Sequence, residues 1–239
     1  MYEDKKIKTE IEYEEGFMKV PILAGHESEL FPGKEDRVIP IIKLGCFKMM
    51  SGVMPSDSDV WTESKWYVLK VDDGKALLLS VECWAWEFWS GENLLLEAAL
   101  PCTWEKSYLR HWLNGELFET GFSEDEKAVI LPMNQYRDKM FIMTAEEVEK
   151  YVPENIREAE TPFADRLNDG RIMICKEPSM WWTNTVGEEE NMMAIVSWHG
   201  NINAEGLSTD SDEVGVRPAI WVDMEALAKH KGLRVELLL

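Results

Sequence analysis

One stretch limits the fold more than any other: Thr103 to Ile130, TWEKSYLRHWLNGELFETGFSEDEKAVI. Trp104, Tyr108, Leu109, Trp112 and Leu113 recur at three- and four-residue steps, so on a helix they form one broad apolar stripe carrying two indole rings. Such a stripe needs a sheet to cover, which makes Trp104 and Trp112 expected core residues. Thr103 is placed to cap the helix, Glu105 suits the positive end of its dipole, and Asn114-Gly115 reads as a C-terminal stop. Ser123-Glu124-Asp125-Glu126 then fits a capping box opening a second short helix, which Pro132 ends.

A 45% hydrophobic share with 11 Trp in 239 residues can fill a substantial core. The formal charge of -20 repels phosphate backbones and anionic membranes at long range, so no nucleic-acid partner is expected. The N-terminus MYEDKKIKTEIEYEEG has no apolar signal-like core, and no run approaches the roughly 20 residues that span a bilayer. A cytoplasmic chain without membrane insertion is the expectation. Cys46, Cys83, Cys102 and Cys175 are scattered, with no close-paired spacing of the zinc or redox-dithiol kind, and read as buried free thiols.

Residues 1–37 are charge-rich and read as an N-terminal extension or an added strand, with Ile7, Thr9, Ile11 and Tyr13 alternating against charged neighbours. Residues 38–239 read as a single domain. Strand material with a break at Gly45 begins it, and two β-rich runs, Trp66 to Val71 and Ala76 to Cys83, flank Asp72-Asp73-Gly74-Lys75, a strong hairpin signal. The following CWAWEFWSGENLLLEAALPC is apolar but poorly periodic. Lys139 to Met143 reads as a short strand, and Thr144-Ala145-Glu146-Glu147 opens a capping-box helix that stops near Pro153. Thr161-Pro162 has the look of another helix start, closed by Asn168-Asp169-Gly170. Strands are then expected at Arg171 to Cys175, Met180 to Thr183, Met192 to Trp198 and Val216 to Val222, with a turn at His199-Gly200-Asn201 and a last helix capped by Asp223 and running through His230. Strands, then helices, then strands argue for an α+β fold.

Seven segments in order, KLGCFKM, WYVLKVDDGKALLLSVE, TWEKSYLRHWLNGELFETGF, DKMFIMTAEEVEKY, TPFADRL, MWWTNT and GVRPAIWV, resemble a bacterial domain-of-unknown-function family, number 6273, over roughly Ile41 to Val222. That family is similar to the formylglycine-generating enzymes (sulfatase-modifying factors). The resemblance therefore implies a C-type lectin-like fold: a mixed, mainly antiparallel sheet, two packed helices and a loop-rich second half. It carries no established activity. The family often reads Trp-Trp-Leu-Arg where this chain has Trp181-Trp182-Thr183-Asn184, so a site built on that Arg is not expected here.

By the same resemblance, formylglycine-type oxidation would need two late cysteines holding copper, whereas Cys175 stands alone. The related iron branch would need clustered imidazoles. His26, His111, His199 and His230 share no ligand spacing, and only a meeting of His111 and His199 in space would bring two together. Calcium, which C-type lectin-like folds often hold in their loops, has candidates in Asp57, Asp59, Glu188 to Glu190, Asp210, Asp212 and Glu213. An EF-hand reading from Asp210 fails because Trp221 stands where its last Glu belongs. Solvated acidic loops are the simpler reading, so no metal or other cofactor is expected, and calcium is the one cation the loops suggest.

No GxSxG, GxxxxGK[ST] or GxGxxG motif is present. Trp181 and Trp182 are adjacent, so on a strand they face opposite sides, which leaves one for a surface. Trp182, Asn184, His199, Asn201 and Asn203 are the resulting ligand-binding candidates, on loops at about Lys176 to Glu190 and His199 to Val214, for a protein, peptide or glycan ligand. Arg217 stands in an apolar strand beginning at Gly215. A buried guanidinium must be paired, so it reads as a structural clamp held by a carboxylate or several carbonyls. The function expected is a non-catalytic binding module; the alternatives are an enzyme whose site assembles in space and a structural or assembly protein.

Overall fold

The computed structural model describes residues 13–14, 17–21, 39–48, 50–51, 60–84, 103–166, 172–211, 213–230 and 234–238. In chain order the first strands are β1 (Tyr13–Glu14), β2 (Phe17–Pro21), β3 (Ile41–Lys48), β4 (Met50–Ser51), β5 (Trp61–Asp72) and β6 (Lys75–Ser80). The β5–β6 hairpin turns through Asp73 and Gly74, with φ of 47° and 73°, the two left-handed residues that a two-residue hairpin with right-twisted strands requires. β5 starts at Trp61 rather than Trp66, because its first half is already paired with the end of β3, Trp61 opposite Lys48. The apolar segment 85–102, with Trp86, Trp89 and Cys102, lies outside the described residues.

The Thr103 to Ile130 stretch is helical but not one helix. A 3₁₀ turn at Trp104–Lys106 is followed by α1 (Tyr108–Trp112), a π-helical stretch at Leu113–Leu117, α2 (Phe118–Gly121) and α3 (Glu124–Val129). Ser107, in extended conformation, breaks the axis after the 3₁₀ turn and caps α1 by accepting from Arg110 N. Thr103 makes no side-chain cap bond. That break turns Tyr108 outward to 41% exposure while Leu109 and Leu113 are fully buried, so the stripe is narrower than its spacing suggests. Trp104 is buried and Trp112 half-buried against the core. Asn114-Gly115 does not stop the chain. The Asn114 amide donates to Arg110 O and Met140 O and accepts from Lys139 N and Met140 N, so it holds a wider helical turn against the next strand. The boxes at Ser123 and Thr144 form reciprocally, each with its Glu three residues on.

β7 (Ile130–Leu131), β8 (Met140–Phe141), α4 (Ala145–Tyr151), a 3₁₀ turn at Glu154–Ile156, β9 (Ala159–Arg166) and β10 (Ile172–Val186) come next, then β11 (Met192–Val196), β12 (Ile202–Ser208), β13 (Val214–Gly215), β14 (Ala219–Asp223), α5 (Met224–His230) and β15 (Arg234–Leu238). One six-stranded sheet has the order β3-β5-β6-β14-β7, with β8 also on β14. A second has β12-β11-β10-β9-β4, with β13 beside β10. β15 joins the β1–β2 hairpin in parallel as a small third sheet. The fold is α+β with mainly antiparallel sheets.

Two expectations are corrected in the second half. Thr161-Pro162 does not open a helix: it lies in β9, paired residue for residue with β10 from Ala159 to Arg166. A residue before proline favours extended backbone, and that sheet pairing decides the matter. Nor is this half loop-rich. The two strands expected between Arg171 and Thr183 are one 15-residue strand, β10, whose first half pairs with β9 and whose second pairs with β11 and β13. The expected loop after His199 contains β12, an edge strand with little apolar alternation: four of its seven residues are half-buried, two are exposed and one, Gly206, is buried.

The core between sheets and helices is built on indoles, and four of them donate their N–H groups to defined acceptors. Trp66 donates to Leu44 O, Trp84 to Ser80 Oγ, Trp104 to Asp138 and Trp181 to Arg157 O. Trp84 stacks on Phe47 with ring centroids 5.0 Å apart and meets Trp66 edge-on at 5.4 Å.

Candidate functional site

The two large sheets are joined where the chain passes from β13 to β14 through Val216, Arg217 and Pro218. The main chain of this link closes on the segment leaving β6: Ser80 N donates to Pro218 O at 2.9 Å and Trp84 N to Val216 O at 2.8 Å. Arg217 thus stands in the link and not, as its apolar neighbours suggest, inside a strand. Its fully buried guanidinium donates from Nε to Ser80 O (2.8 Å), from Nη1 to Ile156 O (2.9 Å) and Arg157 O (3.3 Å), and from Nη2 to Val81 O (3.2 Å). It lies 5.1 Å from the Trp181 ring and 5.8 Å from that of Tyr67. Backbone dipoles and aromatic faces therefore surround the charge, and burial lowers its pKa below the ordinary value.

Cys83 lies against this cluster, fully buried. Burial raises its thiol pKa to about 11, against the opposing pull of Arg217 and of the Ser179 and Thr161 hydroxyls. At neutral pH it is a protonated, inaccessible thiol, poorly suited to act as a nucleophile. Gly215 is where the link presses closest: a Cβ there would stand 2.5 Å from Ser179 Oγ and 2.9 Å from Cys83 Sγ.

Arg157 carries the arrangement outward. Its carbonyl accepts from both Trp181 and Arg217, and its own guanidinium donates to Val152 O and Glu149 O. The β11–β12 turn rests on it, since a Cβ added to Gly200 would lie 3.0 Å from Arg157 Cβ. Ser197 N donates to Asn201 O, Gly200 N to Ser197 O and Asn201 N to Ser197 Oγ, which closes the turn with three hydrogen bonds. From this fixed turn Trp198 projects at 54% exposure, with His199 and Asn201 exposed beside it. An indole, an imidazole and an amide on a rigid support can stack on an apolar ring face and hydrogen-bond its polar rim.

The sequence candidates divide accordingly. His199 and Asn201 share this turn. Asn203 is half-buried and its Oδ1 accepts from Glu205 N and Gly206 N in the irregular part of β12. Asn184 is half-buried further along β10, its N–H donated to Met143 O. Trp182 is fully buried, like Trp181, which corrects its assignment to a surface: β10 is an interior strand there, with β11 opposite at Ile195. Trp198 was missed because it reads as the apolar end of a strand; an aromatic immediately before His199-Gly200-Asn201 was the available signal.

Among the described residues no group of three His, Cys, Asp or Glu side chains is placed to hold a metal ion. His111 and His230 are exposed on α1 and α5, and Glu188 to Glu190, Asp210 and Glu213 are exposed. Asp57, Asp59, Asp212 and His26 lie outside the described residues. No described helix is long and apolar enough to cross a membrane.

Comparison with protein families matches the chain to the domain of unknown function DUF6273, over residues 73–224. This chain belongs to the DUF6273 family. The matched part of this DUF6273 chain runs from Asp73 in the β5–β6 turn to Met224 at the start of α5, and holds the Arg217 cluster and the Trp198 turn together with β9 to β14. β3 and the whole of β5, which complete the first sheet, precede it. No curated protein and no solved structure matches the chain.

Proposed function

We propose that this DUF6273 protein is a non-catalytic binding module, on a scaffold similar to the C-type lectin-like branch that includes the formylglycine-generating enzymes, and that the Ser197–Asn201 turn forms part of the face that meets a peptide or glycan. The observation that supports this reading is Trp198: a large apolar ring held out into solvent at 54% exposure, on a turn closed by three hydrogen bonds and seated on Arg157. Exposed aromatic area costs hydration free energy, and a rigid support lowers the entropy lost on contact. The scaffold supplies position and needs no cofactor in this reading.

The test is binding of the full chain to glycan and random-peptide arrays, repeated with Trp198→Ala. The variant is expected to lose the bound species while its melting curve shifts by no more than about 0.5 kcal/mol in stability, as for an exposed substitution. Binding unchanged by the substitution, or none on either array, would remove this reading. Elemental analysis of the same preparation discriminates the enzyme alternative: stoichiometric copper or iron would favour it.

A further inference from the structure

A second surface, independent of the Trp198 turn, lies on the loop from β7 to β8. Its backbone is fixed from inside. Asn134 Oδ1 accepts from Tyr136 N and Asp138 N, Asn134 Nδ2 donates to Asp138 Oδ2 at 2.8 Å, and Met133 N donates to Asp138 O. Asp138, 3% exposed, is in turn held by Trp104 Nε1 at 3.0 Å and Arg110 Nε at 2.8 Å, from two separate helical turns. All this fixes a loop whose own side chains add little to the core: Met133 is 39% and Tyr136 43% exposed, and Gln135 and Arg137 are exposed as well.

Arg137 has φ of 60°. A left-handed conformation costs a residue with a Cβ about 1–2 kcal/mol, which glycine would avoid. The guanidinium does not recover that cost in the fold, since among the described residues it has no hydrogen-bond or ion-pair partner. Beside it lies Lys139, whose ammonium donates to Ile130 O; Arg110, 4.7 Å from the Tyr136 ring, is ion-paired with Asp138, so Arg137 and Lys139 carry the positive charge of the loop. Asp138 is held by its three side-chain donors, and the neighbouring Glu105 carboxylate raises the pKa of the Tyr136 phenol. The outcome is a locally cationic, partly aromatic knob on a chain of net charge -20.

We propose that Met133, Tyr136 and Arg137 form a preorganised docking site for an acidic peptide segment of a partner protein, with a carboxylate on Arg137 and an apolar side chain covering Tyr136 and Met133. The cationic knob selects carboxylates, and the fixed backbone leaves little ordering cost for the encounter. A nucleic acid would present its charge over a long surface and meet the field of the whole acidic chain, whereas a short segment senses mainly charges within about 8–10 Å at physiological salt.

The experiment is selection of a displayed random-peptide library on the full chain, followed by affinity measurement of the enriched peptide, as a synthetic copy, on wild type, Arg137→Gly and Tyr136→Ala. Enriched peptides are expected to carry Asp or Glu beside an aromatic or aliphatic residue, to bind more weakly as salt rises, and to lose about tenfold in affinity on Arg137→Gly. Arg137→Gly relieves the backbone, so it is expected to melt with or above wild type, which separates lost contact from lost fold. No enrichment, enrichment without acidic excess, equal affinity for Arg137→Gly, or a marked fall in its melting temperature would each overturn the proposal. Retained binding in Trp198→Ala is expected, so failure here and failure of the Trp198 reading are distinguishable.

Discussion

Replacing Arg217 tests the physical centre of the fold. Truncation to Ala removes a donor from four carbonyls at once; Arg157 O keeps Trp181 Nε1, while those of Ser80 and Ile156 lose bonds of 2.8 and 2.9 Å. Leaving a buried acceptor unsatisfied costs about 1–3 kcal/mol each, and the emptied volume beside Trp181 and Tyr67 adds to that. Against this stands the return of a guanidinium to water in the unfolded chain, which buried charges forfeit on folding. The balance is expected near 3–5 kcal/mol of destabilisation, as for other broken buried ionic arrangements, or roughly 10 °C in melting temperature for a chain of this length. Arg217→Lys keeps the charge but cannot fork across two pairs of carbonyls, and should lose about half as much. Arg217→Met is the decisive control, because it fills the volume and donates nothing. Thermal denaturation of the three variants, with hydrogen exchange at Ser80 and Trp84, gives the answer. If Met is as stable as Arg, the hydrogen bonds only offset desolvation and the clamp reading is refuted; if Ala melts within about 1 kcal/mol of wild type, the link is held by its main-chain bonds alone.

Gly45 has φ of 72° at the irregular pairing of β3 with β5, and an added Cβ would stand 2.5 Å from Phe122 Cε1 and 2.7 Å from Gly121 O. Gly45→Ala should therefore cost about 3 kcal/mol in denaturant unfolding, through strain plus overpacking, with partial recovery when Phe122→Leu is added; a loss below about 1 kcal/mol would contradict the packing. Cys83, with its thiol pushed up to about 11, should resist alkylation in the native protein while the half-buried Cys46 and Cys175 react, as read by peptide mass spectrometry. Equal labelling of all three would place Cys83 in reach of solvent. At Asp138 burial acts to raise the pKa, but hydrogen bonds from Arg110, Asn134 and Trp104 together hold it below the usual carboxylate range. A lowered folded-state pKa contributes stability above the unfolded value of about 3.9 and loses it as pH falls through the folded value. Asp138→Asn should thus be destabilised most near neutrality, by about 1.5–3 kcal/mol, with the gap to wild type closing below about pH 4. A gap independent of pH would mean that the ionised form is not what the three donors hold.

The elements legible in the sequence were those whose signal is local. The Asp73-Gly74 turn and the Ser123 and Thr144 capping boxes depend on a few adjacent side chains satisfying nearby backbone groups, and each stands where its residues placed it. What could not be read locally was decided by partners far along the chain. Asn114 has the chemistry of a helix end, yet Lys139 and Met140 engage its amide and the helix runs on. Thr161-Pro162 offers both a helix start and an extended dipeptide, and the partner strand at Cys175 to Ser179 selects the second. The same separation explains the sites. Trp182 and Trp198 are both indoles on or next to strands with polar neighbours, and only the position of β10 inside its sheet and of Ser197–Asn201 at a sheet end makes one core and the other surface. Arg217 was legible as a buried cation because its immediate neighbours are apolar, but its acceptors come from 60 to 137 residues away. Those carbonyls are free to receive it only because β6 and the Glu154–Ile156 turn both end beside the link. The guanidinium therefore joins the exits of three elements, and the turn that carries Trp198 inherits its position from Arg157, one of the residues it holds.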